Sequence, residues 1–539
     1  MPPMNKDTLK ELLGQIPFTA ELYWLMRQKD QPVKHRFSLF YLNRAMPKLL
    51  EETAKLRENA RPGKNVLIFA TLHYWIEHAA LVGMALASQG HRVTLAYLPY
   101  GEWQTPINKF DLRRQNLYAK KVLGPTEPFI NSISLLNVRP SLRPLSTELQ
   151  AAVDQVTLYD TQYTLQVEDE DTDNNIYKLR HKRNEQAAKA ALALLTSEKP
   201  EVVIVPNGTI QELGVVYRVA KSLKIPTVTY EFGDQRERIW LAQNREVMRQ
   251  ETGAMWEAWK DTPLTDDQFK QVSALFSSRR RADLWKNFSR LWQGVPAEGG
   301  EKVRAELGLD DRPVVLLPTN VLGDSLTLGR QVFSPSMANW IVRTVQYFVG
   351  RPDAQLVIRV HPGEVLMHGQ SMAALVRDML AELPEHIHLI GPEEKINTYD
   401  LIEIADVGLV YTTTVGLEMA MSGLPVIVNG QTHYRERGFT HDPDSWVRYF
   451  KTLGQILNNP KESRLTKEQV ELAWRYAYRF FFDYPRPFPW HLVKVWDDYE
   501  ERSLKKVFSP EGQALYGNTF RFLVGEPLDW NQLRDQGAV

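Results

Sequence analysis

The chain has 539 residues, 43% hydrophobic and 24% charged, with 65 basic and 65 acidic side chains and no cysteine. That length calls for two or three domains with sizeable cores. Zero net charge argues against a nucleic-acid partner, and the lack of cysteine excludes a disulfide framework or a thiolate metal site and fits a reducing, intracellular location.

Residues 1–60 read as a helical segment. Pro17 suits a helix start, and Phe18, Leu22, Leu25 and Met26 follow at helical spacing. Such a stripe ordinarily docks on its own domain, which is the expectation here. With Lys29, Lys34 and Arg36 close behind, the other reading is a helix lying on a membrane surface. No basic-then-apolar leader is visible, and the most apolar stretch, 66–87, carries His73, Glu77 and His78, too polar for a lipid-facing span.

A first Rossmann-like domain is expected over 61–293. Its strands are 65–72, 91–99, 201–208 and 225–233, and its helices 74–90, 176–196 and 210–223. A strand, a helix and a strand in so short a span make a right-handed parallel crossover. The stretch 100–175 has no clear assignment, and its acidic run Glu168-Asp169-Glu170-Asp171 reads as a solvated loop, since adjacent like charges repel. Residues 235–292 read as a charged helical insertion rather than sheet, with Arg279-Arg280-Arg281 in a turn or at a helix end.

The Gly- and Pro-rich segment 294–302 is the best linker. A second Rossmann-like domain follows over 303–460, with strands 312–320, 354–362, 386–391, 406–412 and 424–430 and helices near 335–349, 369–383, 398–405 and 414–422. Further helices are expected at 444–458 and 466–482. Prolines in 483–490 must break any helix, and the C-terminal helical extension, 461–539, is expected to return to the first domain.

Ligands bind at the carboxyl ends of parallel strands. In the second domain, RVHP places Arg359 and His361 two residues apart, on one side of a strand that Pro362 ends, as donors to a phosphate. A surface arginine and a hydrogen-bonded core histidine are the alternative. Thr412, Thr413 and Thr414 offer hydroxyls at a helix start, Gly416 permits close backbone approach, and Glu418 is placed to accept from a ribose. Simple capping, and a carboxylate packed toward the sheet, are the competing explanations. The loop TNVLGDS carries Asn320, Asp324 and Ser325 toward a donor sugar, or only shapes a turn. In the first domain His73, Glu77 and Glu231 follow strand ends, with Asn207-Gly208-Thr209 at another. His73 suits a general base, or is a structural histidine.

The order TNVLGDS, RVHP, NTYDLIEIADVGLVYTTTVGLEMAMSGLPVIVNG and HYRERGFT, with PNGTIQELGVVYRVAKSLKIPTVTYEFG upstream, resembles the capsular polysaccharide biosynthesis glycosyltransferases, including the Kdo-transferase-related group. The resemblance implies an α/β chain of GT-B type, two Rossmann-like domains facing a cleft, with additional N-terminal, middle and C-terminal helices. The nucleotide sugar would bind the C-terminal domain and the acceptor the N-terminal one. In related transferases that use CMP-activated sugars, a His-Pro pair and a Ser/Thr cluster hold the donor phosphate. His361-Pro362 and Thr412-Thr413-Thr414 match these, with three threonines where serines are common. The family's catalytic carboxylate has no secure counterpart.

The expectation is therefore a metal-independent glycosyltransferase without cofactor. It moves a sugar from a nucleotide-sugar donor, CMP-linked by preference, to a growing surface glycan or lipid-linked acceptor. His361 would stabilise the leaving group, and His73, Glu77 or Glu231 would act as base. A cytoplasmic place is expected, with peripheral contact at the inner face of the membrane left open. Three other readings stand beside it: a nucleotide-sugar 2-epimerase, a polyol-phosphate transferase, and a non-catalytic binding subunit of a polysaccharide assembly complex.

Overall fold

Aliphatic runs buried on both faces form parallel strands, because a sheet covered by helices on both sides has no polar face to supply. The computed structural model describes residues 6–27, 37–141, 144–169, 172–288, 294–366, 369, 371–380 and 382–535. Its strands in chain order are β1 (Asn65–Thr71), β2 (Arg92–Leu98), β3 (Ile130–Ser134), β4 (Val202–Pro206), β5 (Thr227–Glu231), β6 (Arg238–Gln243), β7 (Val314–Pro318), β8 (Gln355–Arg359), β9 (Ile387–Ile390), β10 (Val407–Val410), β11 (Val426–Val428) and β12 (Arg486–Pro487).

One sheet has seven strands in the order β12-β6-β5-β4-β1-β2-β3, and the other five in the order β11-β10-β7-β8-β9. The second is parallel throughout, and the first is parallel except for β6, which runs antiparallel to both of its neighbours, β5 and β12. In each, the chain winds outward, returns to the centre and winds the other way. The reversals fall between β1 and β4 and between β7 and β10, and such a switch opens a crevice at the carboxyl ends. Two Rossmann-like sheets sharing one cleft are the expected architecture.

Every expected strand is present, and β3, β6 and β12 are additions. β6 corrects the all-helical reading of 235–292. Ile239 and Leu241 are buried between half-exposed neighbours, the period-two pattern of an antiparallel strand. β12 carries Pro487 at the sheet edge, where a missing N–H costs no ladder bond. Helices Lys109–Leu123 and Thr147–Leu165 fill the unassigned stretch before residue 175.

The helix after β1, His73–Ser88, is buried at every position from Trp75 onward. A helix apolar on all sides must be covered on all sides. Helix Phe40–Arg57 helps cover it, and Leu42 N–H donates to Glu77 across that contact at 3.0 Å. Helices Lys6–Gln15 and Thr19–Arg27 dock on Lys109–Leu123 through Lys10–Asp111 and Arg113–Glu21. The expected docking holds for Ala20 and Trp24, but Phe18, Leu22, Leu25 and Met26 stay exposed. Lys29, Lys34 and Arg36 lie outside the described residues.

Glu168 corrects the solvated-loop reading of the acidic run. Its carboxylate accepts the N–H groups of Met337 and Ala338, both at 2.7 Å, and so satisfies the orphan donors and positive end of helix Met337–Val349. Glu170 and Asp171 lie outside the described residues. Helix Lys467–Tyr478 continues into a π turn, Arg479–Asp483, and β12 then pairs with β6, which accomplishes the expected return to the first sheet. Among the described residues, no helix is long and apolar enough to cross a membrane.

Candidate active site

The carboxyl ends of β7 and β10 are tied together at the switch point. Thr412 N–H donates to Asn320 Oδ1 at 3.2 Å. Thr413 Oγ1 accepts from Val415 N–H at 3.4 Å, and its carbonyl accepts from the Tyr434 hydroxyl. Among the described residues Thr412 Oγ1 is buried with no hydrogen-bond partner, and Thr414 makes no side-chain cap bond to helix Val415–Met421. His361 N–H donates to Thr319 Oγ1, and its Nδ1 accepts from Gly363 N–H, both at 3.0 Å. The second bond fixes the ring and puts the proton of the neutral imidazole on Nε2. Asp324 Oδ1 accepts from Leu326 N–H at 2.8 Å, so the carboxylate shapes its own turn. Asn320, Asp324, Ser325, His361 and the three threonines all line one cleft of about 970 Å³.

Four expected residues are placed otherwise. Arg359 does not share the side of His361: β8 ends at Arg359, and its guanidinium donates to the carbonyls of Gly391 and Glu394. The same-side inference fails because the strand's alternation stops there. Pro362 opens the short 3-10 turn Pro362–Leu366 and lies outside the cleft lining. Gly416 faces Tyr434 rather than a ligand, since a Cβ there would lie 2.3 Å from the Tyr434 hydroxyl oxygen. Glu418 is buried against Arg279 at 2.6 Å, the packed-carboxylate alternative.

Three residues of this wall escaped the sequence reading. Arg330 is buried at the cleft, and its guanidinium donates to the carbonyls of Met248 and Gln431 rather than to a carboxylate. Burial pushes its pKa down to about 10, still cationic at neutral pH. His433 stacks flat on Phe480, ring centroids 3.7 Å apart, and accepts or donates at Nδ1 to the Tyr476 hydroxyl at 3.0 Å. Burial holds it well below the usual histidine range, so it is neutral. Phe480 reaches the cleft from the π turn, a feature that recurs at functional sites. The motif HYRERGFT contains His433, but no spacing signals the π turn.

The first sheet supplies the opposite wall. Of the three expected bases, only Glu231 lines the cleft. It ends β5, accepts from Asn207 Nδ2 and from Phe232 N–H, each at 3.0 Å, and lies between Phe232 and Asn207. Burial raises its pKa above the usual glutamate value, against the opposing pull of those two donors. Asn207 is itself fixed, because its Oδ1 accepts from Thr209 N–H at 3.0 Å. It stands at φ +57° and Gly208 at φ +77°, where a Cβ on Gly208 would meet Thr229 at 2.6 Å. Trp103, Trp240, Phe232 and Phe288 add ring surface to this wall.

Glu77 and His73 are withdrawn from that wall. Glu77 is buried, with Leu42 N–H on one oxygen and Trp496 Nε1–H on the other at 2.9 Å, so it ties the N-terminal helix and the C-terminal segment to the core. His73 opens helix His73–Ser88 but is not in the cleft lining, and burial lowers its pKa. Leu72, just before it, sits at φ +66°, a strained conformation for a branched residue. Among the described residues, no group of three His, Asp or Glu side chains is placed to hold a metal ion.

Residues 286–452 match the family model described as capsule polysaccharide biosynthesis protein. A search of curated proteins gives no match. Among solved structures, the chain is similar to KpsC, a beta Kdo 2,4 transferase of Thermosulfurimonas dismutans, at 18% identity and TM-score 0.34, over 51% of this chain and 79% of that one. It is similar to MurG of Acinetobacter baumannii at 13% identity and TM-score 0.27, over 81% and 100%. It is also similar to UDP-GlcNAc 2-epimerase of Neisseria meningitidis at 13% identity and TM-score 0.22, over 82% and 99%. The stretch that matches the capsule polysaccharide biosynthesis model, residues 286–452, holds the second sheet and its threonine cluster, the part of the chain whose motif order carried the resemblance.

Proposed function

We propose that the cleft transfers a sugar from a nucleotide-sugar donor, CMP-linked by preference, to a hydroxyl of a growing surface glycan or lipid-linked acceptor. The observation that carries this reading is the pairing of walls. Hydroxyls, His361 and the cation Arg330 line one side, and Glu231, a carboxylate whose pKa burial raises and whose orientation Asn207 fixes, lines the other.

The second-sheet wall holds the donor phosphate. When the bond from the sugar to the phosphate oxygen breaks, negative charge grows on the leaving nucleotide. Arg330, the hydroxyls of Thr412 and Thr413 and the Nε2–H of His361 are donors fixed before that charge appears, so they favour the transition state over the ground state. Glu231 accepts the proton of the acceptor hydroxyl as its oxygen attacks the sugar carbon. Its raised pKa brings the carboxylate nearer the acceptor's needs, and Asn207 holds its orientation. The ring surfaces of Trp240 and Phe232 suit the faces of sugar rings. Protein donors supply the electrostatic work, so activity is expected to survive a chelator. A cytoplasmic place with peripheral membrane contact belongs to the same reading.

A thermal-shift panel of CMP, UDP, GDP and CDP tests the donor side, because a ligand bound only by the folded state raises its melting temperature. CMP should give the largest shift. Turnover of a CMP-linked sugar is then followed with and without a glycan acceptor. Donor consumption that needs no acceptor and releases an isomerised sugar nucleotide would replace transfer by epimerisation. No shift with any nucleotide would end the reading.

A further inference from the structure

Helix Thr147–Leu165 packs in the first domain but ends against the loop that carries the second wall. Its inner face, Leu149, Val153, Val156, Thr157, Asp160 and Thr161, is buried. Asp160 accepts from Arg180 at 2.5 Å, and Arg180 forms an ion pair with Glu212 at 3.0 Å, all three side chains sealed from solvent. A buried charge cluster of this kind tolerates little movement, because a displaced partner leaves a charge unpaired. The helix is therefore held in one orientation on the first domain.

Its outer side meets the second domain. Tyr159, Tyr163 and Gln166 succeed one another at spacings of four and three, along one side of the helix end. Gly329 lies against the Tyr159 hydroxyl, and Gly323 against the Gln162 carbonyl and the Gln166 backbone, so closely that a Cβ at either glycine would collide. Both stand at positive φ, +63° and +68°. They belong to the loop between β7 and helix Met337–Val349, which brings Asn320, Asp324 and Arg330 to the cleft. Along the helix, Tyr163 falls between these two contacts. It lines the cleft together with Asp324 from the second wall and Glu231 from the first.

Tyr163 is half-buried, and its hydroxyl makes no hydrogen bond among the described residues. Burial raises its pKa above the usual tyrosine value, and the charges of Asp324, Glu231 and Asp160 push the same way. The phenol therefore stays protonated at neutral pH, a donor that the fold itself does not use. Asp324 and Glu231, the carboxylates that face it across the cleft, only accept, and each is already held by backbone or amide N–H groups. A sugar in transfer has to sit between the leaving phosphate and the attacking hydroxyl, which is the seam where the two walls meet. We propose that the Tyr163 hydroxyl donates a hydrogen bond to the sugar being transferred, and so favours a donor that presents an oxygen acceptor at the seam. This rests on the proposed transfer reaction and names the side chain that meets its glycosyl group.

The test is calorimetric titration of the full chain with CMP and UDP beside CMP-linked Kdo and UDP-linked N-acetylglucosamine. Tyr163→Phe removes one oxygen and keeps the ring, so the melting temperature should stay as in the parent. Affinity for the free nucleotides should also stay. Affinity for the sugar nucleotide that the parent binds should fall by about three- to tenfold, the loss of one hydrogen bond. Sugar-nucleotide affinity equal to the parent's overturns the proposal and leaves the transfer reading standing. So does an equal loss for free nucleotide and sugar nucleotide, which would mean that Tyr163 acts through the helix on the phosphate wall. A parent that binds none of the four ligands removes the transfer reading and this contact together.

Discussion

At the cleft, the edge of the second sheet presents hydroxyls, His361, Arg330 and the turn-forming Asp324, while the edge of the first presents Glu231 and Asp234 among aromatic rings. Both edges sit at a topological switch of the same kind, so topology alone does not distinguish them. Their chemistry does. An anion placed at the first edge would meet Glu231 and Asp234 and be repelled, whereas at the second edge Arg330, His361 and the threonine hydroxyls offer donors. The proposed function uses that difference, with the leaving phosphate at one wall and the attacking hydroxyl at the other.

The sharpest way to break this division is Glu231→Gln. If the carboxylate takes the acceptor proton, turnover should fall by about two to four powers of ten while nucleotide binding by calorimetry stays unchanged. Retained turnover would move the base elsewhere. His361→Ala should lower turnover by about one to three powers of ten, because it removes a donor aimed at the developing charge. An unaltered rate in a folded variant would remove His361 from that wall's function.

Glu77 offers the contrasting case, a first-domain carboxylate committed to packing. Glu77→Leu strips the acceptor from Leu42 N–H and Trp496 Nε1–H and should cost about 1–3 kcal/mol of stability, read from denaturation midpoints, with nucleotide binding intact. Thr413→Val should weaken nucleotide binding by about 0.5–1.5 kcal/mol. Equal calorimetric affinity would reduce the cluster to backbone capping.

The smallest effect concerns pH. A carboxylate with a raised pKa is protonated earlier as pH falls, so the acid limb of kcat/KM should lie above the ordinary glutamate range. Asn207→Ala removes an N–H that favours the ionised form, so the limb should move further up. A shift downward would mean that Asn207 does not orient the base.

The second edge was the more legible of the two. Its strands are short aliphatic runs ending in polar residues, and the hydroxyls of Thr412, Thr413 and Thr414 arrive together because they are adjacent in the chain. Arg359 and Glu418 carried the same kind of signal and were misplaced. Each is spent on a partner far along the chain, Gly391 and Arg279, which spacing does not report. Arg330 and Phe480 were missed for the converse reason. One lies within the long loop between β7 and helix Met337–Val349 and the other sits in a π turn, and neither position has a periodicity. The acidic residue Glu168 looked like a surface charge until a helix end was brought to it.

The sequence by itself determined two wound sheets, their strand ends and the hydroxyl cluster, because burial periodicity and strand termination act over a few residues. Tertiary structure alone decided which of three first-domain groups reaches the cleft, and which charged side chains are already paired. Those outcomes depend on contacts between segments hundreds of residues apart, such as Trp496 on Glu77, and a lone carboxylate reads the same in the chain whether it is spent or available.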